Sequence, residues 1–191
     1  PVKLEKIIGW LSKNLPEDSI VTNGAGNYAA FLHRYFVFKD YPTALGPTSG
    51  SMGYGFPASI AAKLRYPEKT VVCMAGDGCF QMTLNEMSTA AKHKLAIIVI
   101  VVNNGKYATI RMHQEKHYPG RVSGTEIHNP DFAALAKAYG GFGTTVKRTE
   151  DFVLAYERAV ASGLLSVIEL QIDDEVLSTS QTVSEVRDNG K

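Results

Sequence analysis

Apolar residues recur at helical spacing over residues 2–15, where Leu4, Ile7, Ile8, Leu11 and Leu15 share one face and Pro16 ends the pattern. A short strand is expected over 19–22. The pattern then changes: 70–75 and 96–102 are nearly unbroken β-branched and apolar runs, as burial on both faces of a parallel sheet requires. Between them the spacing predicts a helix over 83–93. Another helix follows Pro130, with Phe132, Leu135, Ala136 and Tyr139 on one side and Gly140 as its stop, and 152–161 repeats the pattern before a last strand at 166–172. Strands alternating with helices predict an α/β fold, a doubly wound, mainly parallel sheet with helices on both faces. Ligands of such sheets bind beyond the carboxyl ends of the strands, so chemistry is expected in the loops that follow them.

The chain has 191 residues, 45% of them hydrophobic and 20% charged, which is enough for a sizeable core and excludes a disordered or fibrous protein. Its net charge is +1, with no basic stripe interleaved with aromatics, so no nucleic-acid or membrane-surface role is indicated. The longest apolar run, 95–102, is far shorter than the roughly 20 residues of a membrane helix, and the first residues lack a signal peptide's apolar core. Cys73 and Cys79 match neither a disulfide framework nor a zinc ribbon, which points to a reducing, cytoplasmic setting and a small-molecule or protein partner. A start at Pro1 and a polar stretch over 173–191 suggest a piece of something longer. The expected division is a domain over 1–172 and a polar tail over 173–191 that is truncated or extended.

Three loops call for an explanation. Asn23-Gly24-Ala25-Gly26-Asn27-Tyr28-Ala29 fits G-x-G-x-x-A, in which glycines let backbone approach phosphate at a helix N-terminus. It also fits a plain glycine turn. A nicotinamide site would want an acidic residue about 20 positions on, and Asp40 lies somewhat early. In the second loop Gly50, Gly53 and Gly55 cluster before an alanine-rich helix at 58–64, implying close approach of backbone to a ligand or another chain, and Met52 among them is either a core plug or part of that contact. The third is a pair: Gly76-Asp77-Gly78 ends one buried strand and Asn103-Asn104-Gly105 ends the next. A right-handed crossover brings those ends to one sheet edge, where a carboxylate and an amide oxygen suit a Mg²⁺ ion that takes its other ligands from a diphosphate and water. Taken separately, Asp77 could be a helix N-cap and the asparagines a turn.

Gly-Asp-Gly and Asn-Asn with 24 residues between them resemble the signature of thiamine diphosphate enzymes, and 50–58 and 76–83 resemble acetolactate synthase and its relatives, a resemblance that covers nearly the whole chain as their C-terminal diphosphate-binding domain. The resemblance implies that Asp77, the Asn104 side chain and the Lys106 carbonyl bind Mg²⁺. Backbone N–H groups of Gly26, Asn27, Gly78 and Cys79 would hold the diphosphate, within a cofactor site that also includes Ser51, Gly76 and Tyr107. Met52 would support the bent cofactor, whose aminopyrimidine takes the proton from its thiazolium, while the Gly50 carbonyl accepts from the amino group. The implied activity is decarboxylation of a small 2-oxo acid and transfer of the product to a second carbonyl. The glutamate that activates the pyrimidine lies, in this family, on a separate domain of a neighbouring subunit with no counterpart here. A homodimer or tetramer is therefore expected, and the domain alone should be inactive. The central domain that binds FAD in true acetolactate synthases is absent as well, leaving flavin dependence open.

Two departures stand out: residues 105–114 differ from the segment typical of acetolactate synthases, which weakens the substrate assignment, and Asn23-Gly24-Ala25 replaces a more acidic loop start, which weakens the case for side-chain contacts to the diphosphate. His113 and His117, with Glu115 between them, do not form H-E-x-x-H and read as a solvated helix face, although one of them or Arg111 could orient a substrate carboxylate. His33, His93 and His128 have no partner at informative spacing, Trp10 reads as packing, and Cys79 as a stand-in for a small serine. The competing readings are a nonenzymatic nucleotide-binding module and a nicotinamide dehydrogenase, each using the Gly24 loop.

Overall fold

A computed structural model of the protein describes residues 1–190. In chain order the elements are α1 (Leu4–Asn14), β1 (Ile20–Asn23), α2 (Asn27–Tyr35), β2 (Ala44–Leu45), α3 (Gly55–Arg65), β3 (Val71–Gly76), α4 (Asp77–Gln81), α5 (Met87–Lys92), β4 (Ile98–Asn103), α6 (Ala108–His117), α7 (Phe132–Ala138), β5 (Phe142–Val146), α8 (Phe152–Ser162), β6 (Ser166–Gln171) and α9 (Val183–Asn189). The strands form one parallel six-stranded sheet in the order β2-β1-β3-β4-β6-β5.

The unbroken apolar runs are explained by two cores. Alternate residues of a strand point to opposite faces. Val72 and Met74 of β3, with Ile98, Ile100 and Val102 of β4, pack against α1, α2 and α8. Val71, Cys73 and Ala75, with Val99 and Val101, pack against α3, α5 and α7. The second core is centred on Phe80, whose ring lies 5.3 Å from Phe56 and 5.8 Å from Phe132.

Where a single helix was expected over 83–93, the chain turns helical at once after β3 as α4, passes through a 3₁₀ turn at Leu84–Glu86 and continues as α5. This break puts Phe80 into the core ahead of Met87 and Ala90. β2 and β5 were not predicted. β2 is a two-residue edge strand without buried side chains. β5 alternates weakly, and at its Gly143 an added Cβ would run into the Ala133 carbonyl, so α7 lies directly on the strand backbone.

Residues 173–190, expected to be a polar tail, fold back onto the domain. Val176 bridges to Thr182, and Thr182 and Glu185 form a reciprocal cap on α9. Leu177, Val183 and Val186 are buried with Ala108 and Met112 of α6 beside them. Three apolar residues at wide spacing carry no period legible in the sequence. Glu115 completes the anchor: it is 0% exposed, and its carboxylate accepts from Arg111 at 2.7 Å, from Arg187 at 2.8 and 3.0 Å, and from the Gly120 N–H at 2.8 Å. The Arg187 hydrogen bonds, helped by Gly120 and Arg111, hold its carboxyl down at about 2 against an ordinary 4.5.

Two outcomes follow. Phe80→Ala, which empties the centre of the second core, should cost about 3–5 kcal/mol in urea denaturation. Because Glu115 is depressed in the folded state, its contribution is complete above the ordinary value of 4.5 and is lost as pH falls through about 2. Hydrogen-exchange protection factors over 183–189, taken relative to the intrinsic rate at each pH, should therefore fall across that window, and Arg187→Ala should lower them on the order of tenfold or more at neutral pH, since a charge-assisted hydrogen bond contributes about 1.5–3 kcal/mol.

Candidate functional site

β2 and β3 lie on opposite sides of β1, so the loops leaving β1 and β3 diverge and open a crevice at the carboxyl ends of the strands. A cleft of about 250 Å³ occupies this point. Gly26, Asn27, Gly50, Met52, Gly76, Asp77, Gly78, Cys79, Asn104, Lys106 and Tyr107 all line it. Ser51 does not: it is exposed, with its hydroxyl on the Met52 carbonyl.

β3 and β4 pair in register from Val72 opposite Ile98 to Gly76 opposite Val102, so Asp77 and the Asn103-Asn104 pair leave adjacent strand tips together. Asp77 is 3% exposed. Its Oδ1 accepts from the Gly78 N–H at 2.8 Å, and its Oδ2 from the Gly105 N–H and from Asn129 Nδ2, both at 2.8 Å. Among the described residues no ion pair reaches it. Burial raises its carboxyl above the ordinary range, with Asn129 and the backbone donors opposing. A buried carboxylate met only by neutral donors is a natural place for a cation. Asn104 Oδ1 accepts a long 3.3 Å bond from the Lys106 N–H. Lys106 turns its ammonium away to the Asp174 carbonyl at 2.8 Å, so what it can offer the cleft is backbone. Among the described residues no group of three His, Cys, Asp or Glu side chains could hold a metal. The donors available here are one carboxylate with amide and carbonyl oxygens, a set suited to a hard, oxygen-seeking cation.

Cys79 joins the three loops. Its Sγ accepts from the Gly53 N–H at 3.1 Å and from the Tyr28 hydroxyl at 3.3 Å, and that hydroxyl accepts from the Gly24 N–H at 3.0 Å. Burial pushes the Tyr28 phenol far above its ordinary value, so it remains a donor. The glycines here are spacing requirements. A Cβ on Gly24 would run into Cys79 Sγ, one on Gly55 would lie 2.9 Å from the backbone of Asn23 and Gly24, and one on Gly78 would lie 2.5 Å from Tyr107. Gly50 and Gly53 have φ of +67° and +79°, which shape the loop that carries Met52. Met52 is half-buried, packing on the first core while lining the cleft, so the two readings of it describe one position.

Several expectations change. The Gly78 N–H is engaged by Asp77, and the Cys79 side chain has bonds of its own besides its backbone. Arg111 turns Nε and one terminal amine of its guanidinium to the buried Glu115. His113 and His117 are exposed and stack in parallel with ring centres 6.3 Å apart. Tyr28, Asn129 and Glu169 were missed. Tyr28 sits inside the Gly24 motif, and Asn129 directly precedes Pro130, ahead of α7. Asp40 accepts from the N–H of its neighbour Tyr41. The strand order 2-1-3-4-6-5 also differs from the 3-2-1-4-5-6 order of paired dinucleotide-binding halves, which counts against the nicotinamide reading.

Residues 24–170 match the family described as thiamine pyrophosphate enzyme, C-terminal TPP binding domain. The chain is 34% identical over 179 residues to an acetolactate synthase large subunit of Buchnera aphidicola subsp. Schizaphis graminum, covering 91% of this chain and 31% of the relative. It is 32% identical over 178 residues to the acetolactate synthase isozyme 3 large subunit of Escherichia coli, covering 90% and 31%. Among solved structures, the thiamine diphosphate-dependent 4-hydroxybenzoylformate decarboxylase of Rhodococcus jostii RHA1 superposes with a TM-score of 0.83 at 27% identity, covering 90% of this chain and 32% of that one. The chain thus spans about a third of the length of the relatives it matches. Sheet topology, the paired strand tips and these likenesses agree: the chain belongs to the thiamine pyrophosphate enzymes, as their C-terminal cofactor-binding domain.

Proposed function

We propose that this domain holds the diphosphate end of thiamine diphosphate through Mg²⁺, in an enzyme that decarboxylates a small 2-oxo acid and ligates the product to a second carbonyl. The observation that carries the reading is the buried Asp77 carboxylate, met only by neutral donors, on the strand tip next to Asn104. Asp77, the Asn104 side-chain oxygen and the Lys106 carbonyl would hold the cation. The N–H groups of Gly26, Asn27 and Cys79, at the starts of α2 and α4, would hold the diphosphate, with Gly78 bracing Asp77 instead. When bound, thiamine diphosphate supplies a nucleophilic carbon and an electron sink for the decarboxylation.

The chain's own residues position and enclose. Met52, on a loop shaped by Gly50 and Gly53, would support the middle of the cofactor, and the Gly50 carbonyl would accept from its amino group. Leu177 and Val176 close one side of the cleft, and the Leu177 carbonyl accepts from Asn27 Nδ2 at 2.7 Å, tying residues 173–190 to the proposed diphosphate site. The pyrimidine end would be received by a domain of a partner subunit, so the working unit is a dimer or tetramer. Two free, buried cysteines fit a reducing, cytoplasmic setting.

Calorimetry with thiamine diphosphate, with and without Mg²⁺ and with the pyrimidine-binding domain present, tests the reading. Asp77→Ala should weaken Mg²⁺-dependent binding on the order of 100-fold or more, beyond what loss of an outer partner of a metal ligand costs. Retained metal-dependent affinity would overturn the cation assignment. Gly24→Ala should cost about 1–3 kcal/mol through overpacking against Cys79, and adding Cys79→Ala should restore part of the thermal midpoint.

A further inference from the structure

Behind Asp77 a line of hydrogen-bonded polar groups, half-buried between the buried Asp77 and Glu169, crosses the sheet. Asn129 Nδ2 donates to Asp77 Oδ2 and to Asn103 Oδ1, both at 2.8 Å, while Asn129 Oδ1 accepts from Gln81 Nε2 at 2.6 Å. Asn103 Nδ2 donates to Glu169 Oε1 at 2.6 Å. Glu169 Oε2 accepts from the Thr145 hydroxyl at 3.0 Å. The line therefore runs from the cleft, past the end of β4, to β6 and β5. Glu169 is 3% exposed, and among the described residues no ion pair reaches it.

The two ends dictate the direction of every bond between them. An ionised carboxylate only accepts hydrogen bonds, whereas an amide accepts on one atom and donates on the other. Glu169 on β6 must therefore be met by Asn103 Nδ2, which turns Asn103 Oδ1 toward the Gly105 N–H at 3.1 Å and toward Asn129. Asn129 has to answer with Nδ2, the group that the Asp77 carboxylate also needs. A flip of Asn103 would set its nitrogen against Asn129 Nδ2 and its oxygen against Glu169. Gly105 and Asn129 take both lone pairs of Asp77 Oδ2 and Gly78 takes one of Oδ1, so the second lone pair of Oδ1 is the one left to meet a cation.

We infer that Glu169 and Asn129 are positioning residues for the cation site: Glu169 orients Asn103, Asn103 orients Asn129, and Asn129 holds Asp77 with one oxygen presented to the metal. The inference rests on the reading of Asp77 as a cation ligand. It assigns to Glu169, a strand residue outside the cleft, control over a property read at Asp77.

The test is the Mg²⁺ concentration that half-saturates thiamine diphosphate binding, followed by fluorescence or calorimetry in the assembled enzyme with its pyrimidine-binding domain. Asn129→Leu and Glu169→Leu should each raise it about 10–100-fold, with full binding restored at saturating Mg²⁺. Glu169→Gln can still offer Oε1 to Asn103 and should stay within about threefold of the parent, which separates orientation from charge. Because the groups act in series, the double variant Asn129→Leu with Glu169→Leu should cost little more than the worse single change. A purely structural role would lower the melting temperature without moving the Mg²⁺ requirement, and that result overturns the inference. So does a Glu169→Gln variant as impaired as Glu169→Leu. Should a leucine variant fail to fold, Asn129→Ser and Glu169→Thr carry the same measurement. Asp77→Asn separates the two levels: if it abolishes metal-dependent binding while the Asn129 and Glu169 variants match the parent, the inference alone fails; if it leaves that binding unchanged, the cation reading fails and takes the inference with it.

Discussion

The cleft is organised around one buried charge. Asp77 sits at the tip of β3 with 3% of its surface exposed, bonded to two backbone N–H groups and one amide, none of them charged. Burying a carboxylate without a countercharge is costly, and donors aimed at both of its oxygens offset part of that cost. Much of the surrounding architecture places those donors. The register of β3 with β4 brings the asparagine turn alongside, Gly105 supplies an N–H from a left-handed turn, and Asn129 reaches in from the segment before α7.

A second set of contacts holds the loops around this charge at fixed separations. Cys79 and Tyr28 join the ends of β1 and β3 to the glycine loop ahead of α3, and each glycine that would clash if substituted marks a place where two backbones meet without a side chain between them. The C-terminal residues belong to the same enclosure. Glu115 draws Arg111 and Arg187 together, α9 is thereby fastened to α6, and Leu177 is carried to the wall of the cleft and onto Asn27. The ion cluster lies outside the cleft lining, yet it fastens part of the wall.

Much of this was legible in the residues themselves. The runs at 70–75 and 96–102 admit few states other than strands covered on both sides, and their ends carry Gly-Asp-Gly and Asn-Asn-Gly, so both turns were expected at one edge of the sheet, where the register of β3 with β4 puts them. Less was legible where the signal is spread thinly. Val183, Val186 and Leu177 are three apolar residues in a polar stretch, and β5 reads Phe-Gly-Thr-Thr-Val, a weak alternation that becomes a strand because β6 and α7 cover it. Glu115, between two histidines in a polar run, read as part of a solvated face, and Arg187, 72 positions away, joins Arg111 and Gly120 in pairing its buried carboxylate.

Sequence alone determined the fold class, the loops that matter and the two residue types at the strand tips, because these depend on local periodicity and on steric rules that act over a few dozen residues. The tertiary structure decided which polar groups support them. Asn129, Tyr28 and Glu169 are ordinary residues at ordinary spacings, and each gains its part from a hydrogen-bonding partner distant along the chain. A hydrogen bond depends on a few tenths of an ångström and on direction, and neither quantity exists until the sheet, its helices and the returning C-terminal segment are packed together.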